Sequence, residues 1–119
     1  LLVGTWKLTG SDITPAYDVD GDGVVETDRY AKLESCNKEF YERYISGGNG
    51  QVKQNCNQVY KATTWSLSDY GMTIKWRFTG SGDVIEKIVS INDNLLKATS
   101  SFTPPSGIVY TITNTYTKQ

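Results

Sequence analysis

Five carboxylates crowd the stretch Asp18-Val19-Asp20-Gly21-Asp22-Gly23-Val24-Val25-Glu26-Thr27-Asp28. Acidic side chains at positions one, three and five, with Gly23 at six, can turn the backbone so that Asp18, Asp20, Asp22 and the carbonyl of Val24 converge on one hard cation. Glu26 at position nine completes the shell, with Asp28 as its substitute. The spacing points to calcium in a structural role. The motif departs from an EF-hand, because its twelfth position is Arg29 instead of a bidentate Glu and no long helix precedes it. A solvated acidic turn is the simpler alternative, but close carboxylates repel one another without a cation.

Other reactive residues are sparse. The chain has no His, so a Ser or Cys nucleophile lacks its usual base. Glu39 and Glu42 fall on opposite faces of an extended segment and read as surface charge rather than an acid/base pair. The expectation is a non-enzymatic protein. Cys36 and Cys56 lack the spacing of a zinc site, which leaves a disulfide or two buried thiols. The twelve Lys and Arg residues are scattered over a chain of net charge −1, which argues against nucleic acid as a partner. No apolar run is long enough to span a bilayer.

The elements that must position these residues are strands. Thr63 to Thr79 alternates Thr63, Trp65 and Leu67, turns at Asp69-Tyr70-Gly71, and resumes with Met72, Ile74, Trp76 and Phe78 on one face. That is an antiparallel hairpin with one apolar side. Val3 to Thr9 is a first strand. Ser11 to Cys36 is a long acidic connection with a helical turn between Asp28 and Ser35. Glu39 to Ser46 and Gln51 to Cys56 form a second hairpin around Gly47-Gly48-Asn49-Gly50. Val84 to Ile91, Leu95 to Phe102 and Ile108 to Lys118 complete the set. Neither face of Val84 to Ile91 is cleanly apolar, which a β-bulge would reconcile.

Eight strands joined mainly by short turns make an antiparallel meander in a single domain spanning residues 1–119, and closure into an up-and-down barrel removes the exposed edges. Gly4-Thr5-Trp6 at the head of the first strand, the DxDGDG loop, two cysteines flanking a hairpin and the later Trp65-Ser66-Leu67 resemble a bacterial lipocalin-like domain of secreted proteins and surface lipoproteins of Bacteroidota. The resemblance covers essentially the whole chain. It implies an eight-stranded lipocalin-like (calycin) barrel, with Trp6 plugging its closed end and Lys118 in the place where lipocalins carry an Arg across from that Trp. It also implies export to the periplasm, outer-membrane surface or extracellular space, and a removed N-terminal segment that could have carried a lipid anchor.

The meander gathers four connections at the open end: Ser11 to Cys36, Asn57 to Tyr60, Gly80 to Asp83, and Thr103 to Gly107. Cys36 and Cys56 both fall at that rim. Their bond would pin the lid to a neighbouring strand, contributing about 3 kcal/mol in the chain-entropy account, and would point to an oxidising compartment. By strand direction, Leu8, Phe40, Trp76, Phe78, Phe102, Ile108 and Tyr110 point inward in the open half, whereas Trp6 and Tyr116 close the bottom. Inward Ala98, Ser100 and Asn114 leave some polar space. The expected function is a binding module for a small hydrophobic ligand. The alternative is a structural or adhesive surface domain with a filled core, whose loops contact a protein or glycan.

Overall fold

The computed structural model describes residues 2–53, 61–78 and 82–119. Strands β1 (Gly4–Tyr17), β2 (Glu26–Asp28), β3 (Tyr41–Ile45), β4 (Asn49–Lys53), β5 (Lys61–Ser68), β6 (Thr73–Arg77), β7 (Asp83–Ile91), β8 (Leu95–Phe102) and β9 (Tyr110–Lys118) form one antiparallel sheet. Neighbours pair in chain order from β3 to β9, and β1 pairs with both β3 and β9. The sheet is therefore closed into an eight-stranded up-and-down barrel, with β2 as a short ninth strand on β1. Closure leaves no free edge around the barrel.

The first strand is longer than its sequence pattern indicated. Alternation ends at Thr9 because of a bulge: Leu8 lies opposite Tyr116, but Gly10 lies opposite Thr115. The extra residue switches parity, so Trp6 and Leu8 are buried before it and Ser11 and Ile13 after it. The expected connection from Ser11 is thus largely strand up to Tyr17. Beyond it β2 folds back on β1, with Asp28 opposite Asp12 and Glu26 opposite Tyr17, and two 3-10 turns follow at Tyr30–Lys32 and Ser35–Lys38. Strand β7 carries the bulge its mixed faces required, between Ile88 and Ser90.

Trp6 seals one end. Its indole donates to the Leu2 carbonyl at 2.8 Å, and the Lys118 ammonium lies 5.2 Å from its ring centroid, within the range of a cation–π contact. The same lysine accounts for Gly4: a Cβ there would lie 2.7 Å from Lys118 Cε, and the backbone φ is +138°. Gly-x-Trp at the head of β1 is therefore one packing unit with the end of β9. Tyr116, expected from strand direction to close this end with Trp6, does not do so. Register puts it opposite Leu8, while Lys118 takes the place opposite Trp6, so Tyr116 belongs further up the barrel.

Tyr44, Trp65 and Trp76 fill one side of the interior, with Tyr44 centred 4.6 Å from Trp76 and 5.3 Å from Trp65. Gly50 makes this possible, since a Cβ would come within 2.6 Å of the Trp76 ring.

Candidate functional site

A cavity of about 270 Å³ lies between the barrel and the segment that crosses it from Arg29 to Phe40. Leu8, Leu33, Phe40 and Val84 supply apolar walls; Arg29, Asn37, Glu86, Ser100, Asn114 and Tyr116 supply polar ones. Each reaches it through a simple local rule. Leu8 precedes the β1 bulge on the inward face. Glu86, Ser100, Asn114 and Tyr116 sit at inward positions of β7, β8 and β9. Arg29 and Leu33 are set by the first 3-10 turn, whose Ala31 amide donates to the Asp28 carboxylate at 3.1 Å.

Two carboxylates are buried beneath this cavity, Glu42 with 2% and Glu86 with 6% of its surface exposed, and they hydrogen-bond each other. Donor chemistry fixes the direction of the network around them, because guanidinium and indole N–H groups can only donate. Arg29 Nη1 donates to Ser11 Oγ at 3.1 Å, Ser11 to Asn114 Oδ1 at 2.7 Å, Asn114 Nδ2 to Tyr116 Oη at 3.3 Å, and Tyr116 to Glu86 Oε2 at 3.3 Å. On the other side Trp76 Nε1 donates to Tyr44 Oη at 3.1 Å, and Tyr44 to Glu42 Oε1 at 3.4 Å. With Glu42 protonated and donating to Glu86, both chains end on one acceptor, the Glu86 carboxylate.

Electrostatics agree with that direction. Burial, and then the charge of Glu86, push the Glu42 carboxyl well above its ordinary range. Burial also raises Glu86, to about 7, against the lowering effect of its hydrogen bonds with Tyr116 and Glu42. The hydroxyls of Tyr44 and Tyr116 are raised well above 10, first by burial and then by the two glutamates. Near neutral pH the pair therefore shares one proton, as close carboxylates do when only one can ionise. No described cation lies within ion-pairing distance of either glutamate; the nearest in the network, Arg29, is three hydrogen-bonded side chains away from Glu86.

The residues expected to line a ligand site separate into three groups. Leu8 and Phe40 reach the cavity. Trp76 and Phe78, centred 6.2 Å apart, belong to the packed side with Tyr44, and Trp76 is fully buried. Phe102 and Tyr110 stack at 5.4 Å and meet Tyr17 edge-on, an aromatic cluster that does not line this cavity. Ile108 does not point inward: it is 48% exposed, because β9 starts only at Tyr110 and the alternation does not extend back through the turn after Gly107.

In the acidic stretch, Asp18, Asp20 and Asp22 each bring an oxygen within 4.8 Å of the others. Asp18 accepts from the Gly23 amide at 2.9 Å and Asp22 from the Val24 amide at 2.8 Å, and the latter bond chiefly holds the Asp22 carboxyl below its ordinary range. Glu26 joins from β2, accepting from Val19 N at 3.4 Å. Asp28 does not join; its carboxylate accepts from the Ala31 amide of the 3-10 turn. Lys32 reaches between Asp20, Asp22 and Glu26 at 3.7–4.0 Å, an internal counter-charge that spacing alone did not reveal. Cys36 is disulfide-bonded; Cys56 lies outside the described residues, as do the rim connection Asn57 to Tyr60 and, in the connection Gly80 to Asp83, Gly80 and Ser81.

Glu42 and Glu86 are the polar residues that sequence reasoning missed. Glu42 is a buried acid, not surface charge, because it shares the face of Phe40 and Tyr44. Glu86 lies between Val84 and Ile88 on the inward face of β7. Parity alone was the available signal.

The sequence matches no family model and no curated protein. Among solved structures the chain is similar to bovine odorant-binding protein complexed with its natural ligand (TM-score 0.53, 17% identity, 99% of this chain and 71% of that one). The complex of that bovine protein with undecanal matches equally. Aphrodisin, a sex pheromone from female hamster, matches with TM-score 0.54 and 15% identity over 100% of this chain and 76% of its own. The fold is that of the lipocalins.

Proposed function

We propose that this chain is a non-enzymatic binding module that encloses one small, mainly hydrophobic molecule between its barrel and the Arg29–Phe40 segment. The observation that carries the reading is the cavity itself. Its 270 Å³ falls just below the roughly 300–1,000 Å³ range of small-molecule pockets, which suits a short ligand and not a long lipid. The bovine protein of similar fold, solved with undecanal, supports the same use of such a barrel. The half-cystine at Cys36 supports export and a Cys36–Cys56 bond. Convergence of Asp18, Asp20 and Asp22, with Glu26 beside them, supports a structural calcium ion ordering the lid, with Lys32 as its competitor.

Native mass spectrometry of protein purified from cells, joined to titration with a hydrophobic fluorescent probe, tests the reading. A retained small molecule, or probe binding weakened by Phe40→Asp, is the expected result. Neither retained mass nor probe binding would leave the adhesive-domain alternative, to which the solid packing of Tyr44, Trp65 and Trp76 already lends one half of a filled core.

A further inference from the structure

Two carboxylates in a barrel interior are costly unless something compensates them, and replacing buried ionic groups by apolar ones is often neutral or stabilising. Packing alone gives no reason for Glu42 and Glu86. Every oriented donor in the network runs toward Glu86, yet an ionised carboxylate offers about four acceptor positions. Tyr116 and Glu42 occupy two, and Glu86 also forms part of the cavity wall. What the floor of the cavity lacks is a hydrogen-bond donor carrying positive charge.

We infer that the cavity selects a small amphiphile with a protonated primary amine, whose ammonium group sits on Glu86 while its apolar body lies against Leu8, Leu33, Phe40 and Val84. This rests on the binding-module reading and narrows it to one ligand class. The rival anchor is Arg29, which lines the same cavity and would favour a carboxylate. Arg29 is only half-buried and sits on the lid segment, where water screens it, whereas Glu86 is nearly sealed. A charge interaction is strongest where the surroundings are driest, so the deeper group sets the selectivity.

The charged and titratable groups facing Glu86 are Glu42 and Tyr44 from β3, Tyr116 from β9 and, through Ser11 and Asn114, Arg29 from the lid. Arg29 stays charged, and the tyrosines and Glu42 stay protonated near neutrality, so Glu86 alone changes charge there. An ammonium ligand stabilises its ionised form. Amine affinity therefore weakens as pH falls through about 7, while a neutral alcohol does not follow that course.

The test compares hexylamine, hexanol and hexanoate by displacement of the fluorescent probe and by calorimetry. At pH 8 the amine is expected to bind about tenfold or more tightly than the alcohol, as befits a charge-assisted hydrogen bond in a buried site. That ratio should fall by about tenfold at pH 6 and approach one in Glu86→Gln. The pH series on the unaltered protein tests the inference even if the variant folds poorly. Hexanoate binding tighter than hexylamine, or an amine preference that survives Glu86→Gln and low pH, would overturn it. If the alcohol binds and the amine gains nothing, the inference fails and the binding module stands; if nothing binds, both fail.

Discussion

Folding should be more stable at mildly acidic pH than at mildly basic pH, opposite to what paired surface carboxylates would give. Glu86 has a folded-state pKa of about 7 against an ordinary 4.5, so the folded state binds its proton more tightly than the unfolded chain does. The stability this proton contributes is fully present below pH 4.5 and is lost as pH rises through about 7. At about 1.4 kcal/mol per pH unit, that interval corresponds to about 3 kcal/mol for a group that burial shields from solvent screening. Glu42, raised well above 4.5 by burial and by Glu86, acts in the same direction from pH 4.5 upward and adds to the loss within this window. The lowered carboxyls of Asp22 and Asp83 lose their contribution only as pH falls below their ordinary 3.8, outside the window. For a domain of this size the loss amounts to about 10 °C in melting temperature between pH 5 and pH 8. Calorimetry or circular dichroism reads it directly. Glu86→Gln should reduce the slope, leaving the part that burial of Glu42 contributes, and raise stability at pH 8. A flat melting temperature over that range, or an unchanged slope in Glu86→Gln, would refute the buried-pair account.

Four further outcomes follow from the same geometry. Gly50→Ala should destabilise by about 1–3 kcal/mol, because its Cβ would press on Trp76 and on the Arg43 carbonyl at 2.9 Å; an unchanged urea midpoint contradicts this. Tyr70 is fully exposed in the β5–β6 turn with φ 57°, a left-handed conformation that costs a side chain about 1 kcal/mol, so Tyr70→Gly should hold or raise the urea midpoint, and a clear loss would speak against the turn. Calcium at millimolar concentration should raise the melting temperature by binding the native state, and Asp20→Ala should abolish the rise; identical curves with calcium and with chelator leave Lys32 as the loop's counter-charge. Thiol labelling under denaturing, non-reducing conditions should find no free cysteine, and two labelled thiols in exported protein would disprove a Cys36–Cys56 bond.

The barrel was legible in the sequence because alternation, turn residues and strand count point to the same closed meander. β5 and β6 show why: Trp65 and Trp76 sit directly opposite each other, and the Asp69-Tyr70-Gly71 turn fixes that register. Legibility failed where parity broke. A bulge after Leu8 hid the second half of β1, and with it Ser11, the link between Arg29 and Asn114. Rim residues also misled, since Ile108 and Met72 continue an alternating pattern past the ends of β9 and β6, where both side chains are exposed. Most instructive is Glu42. Charge on a strand is ordinarily solvated, and that prior outweighed the parity that placed Glu42 beside Tyr44. A carboxylate becomes acceptable inside when a second one shares its proton and tyrosines cap both, and that partnership joins residues from β3, β7 and β9 that no local pattern connects. The aromatic spacing that suggested a ligand site marked instead the packed side of the barrel, with Trp76 turned toward Tyr44 and away from the cavity. The cavity lies on the other side, where inward Ser100 and Asn114 are small or polar, because a cavity needs positions at which large side chains are missing. In this chain Ser100 and Asn114 provide them, and Glu86 adds a buried carboxyl to the cavity wall.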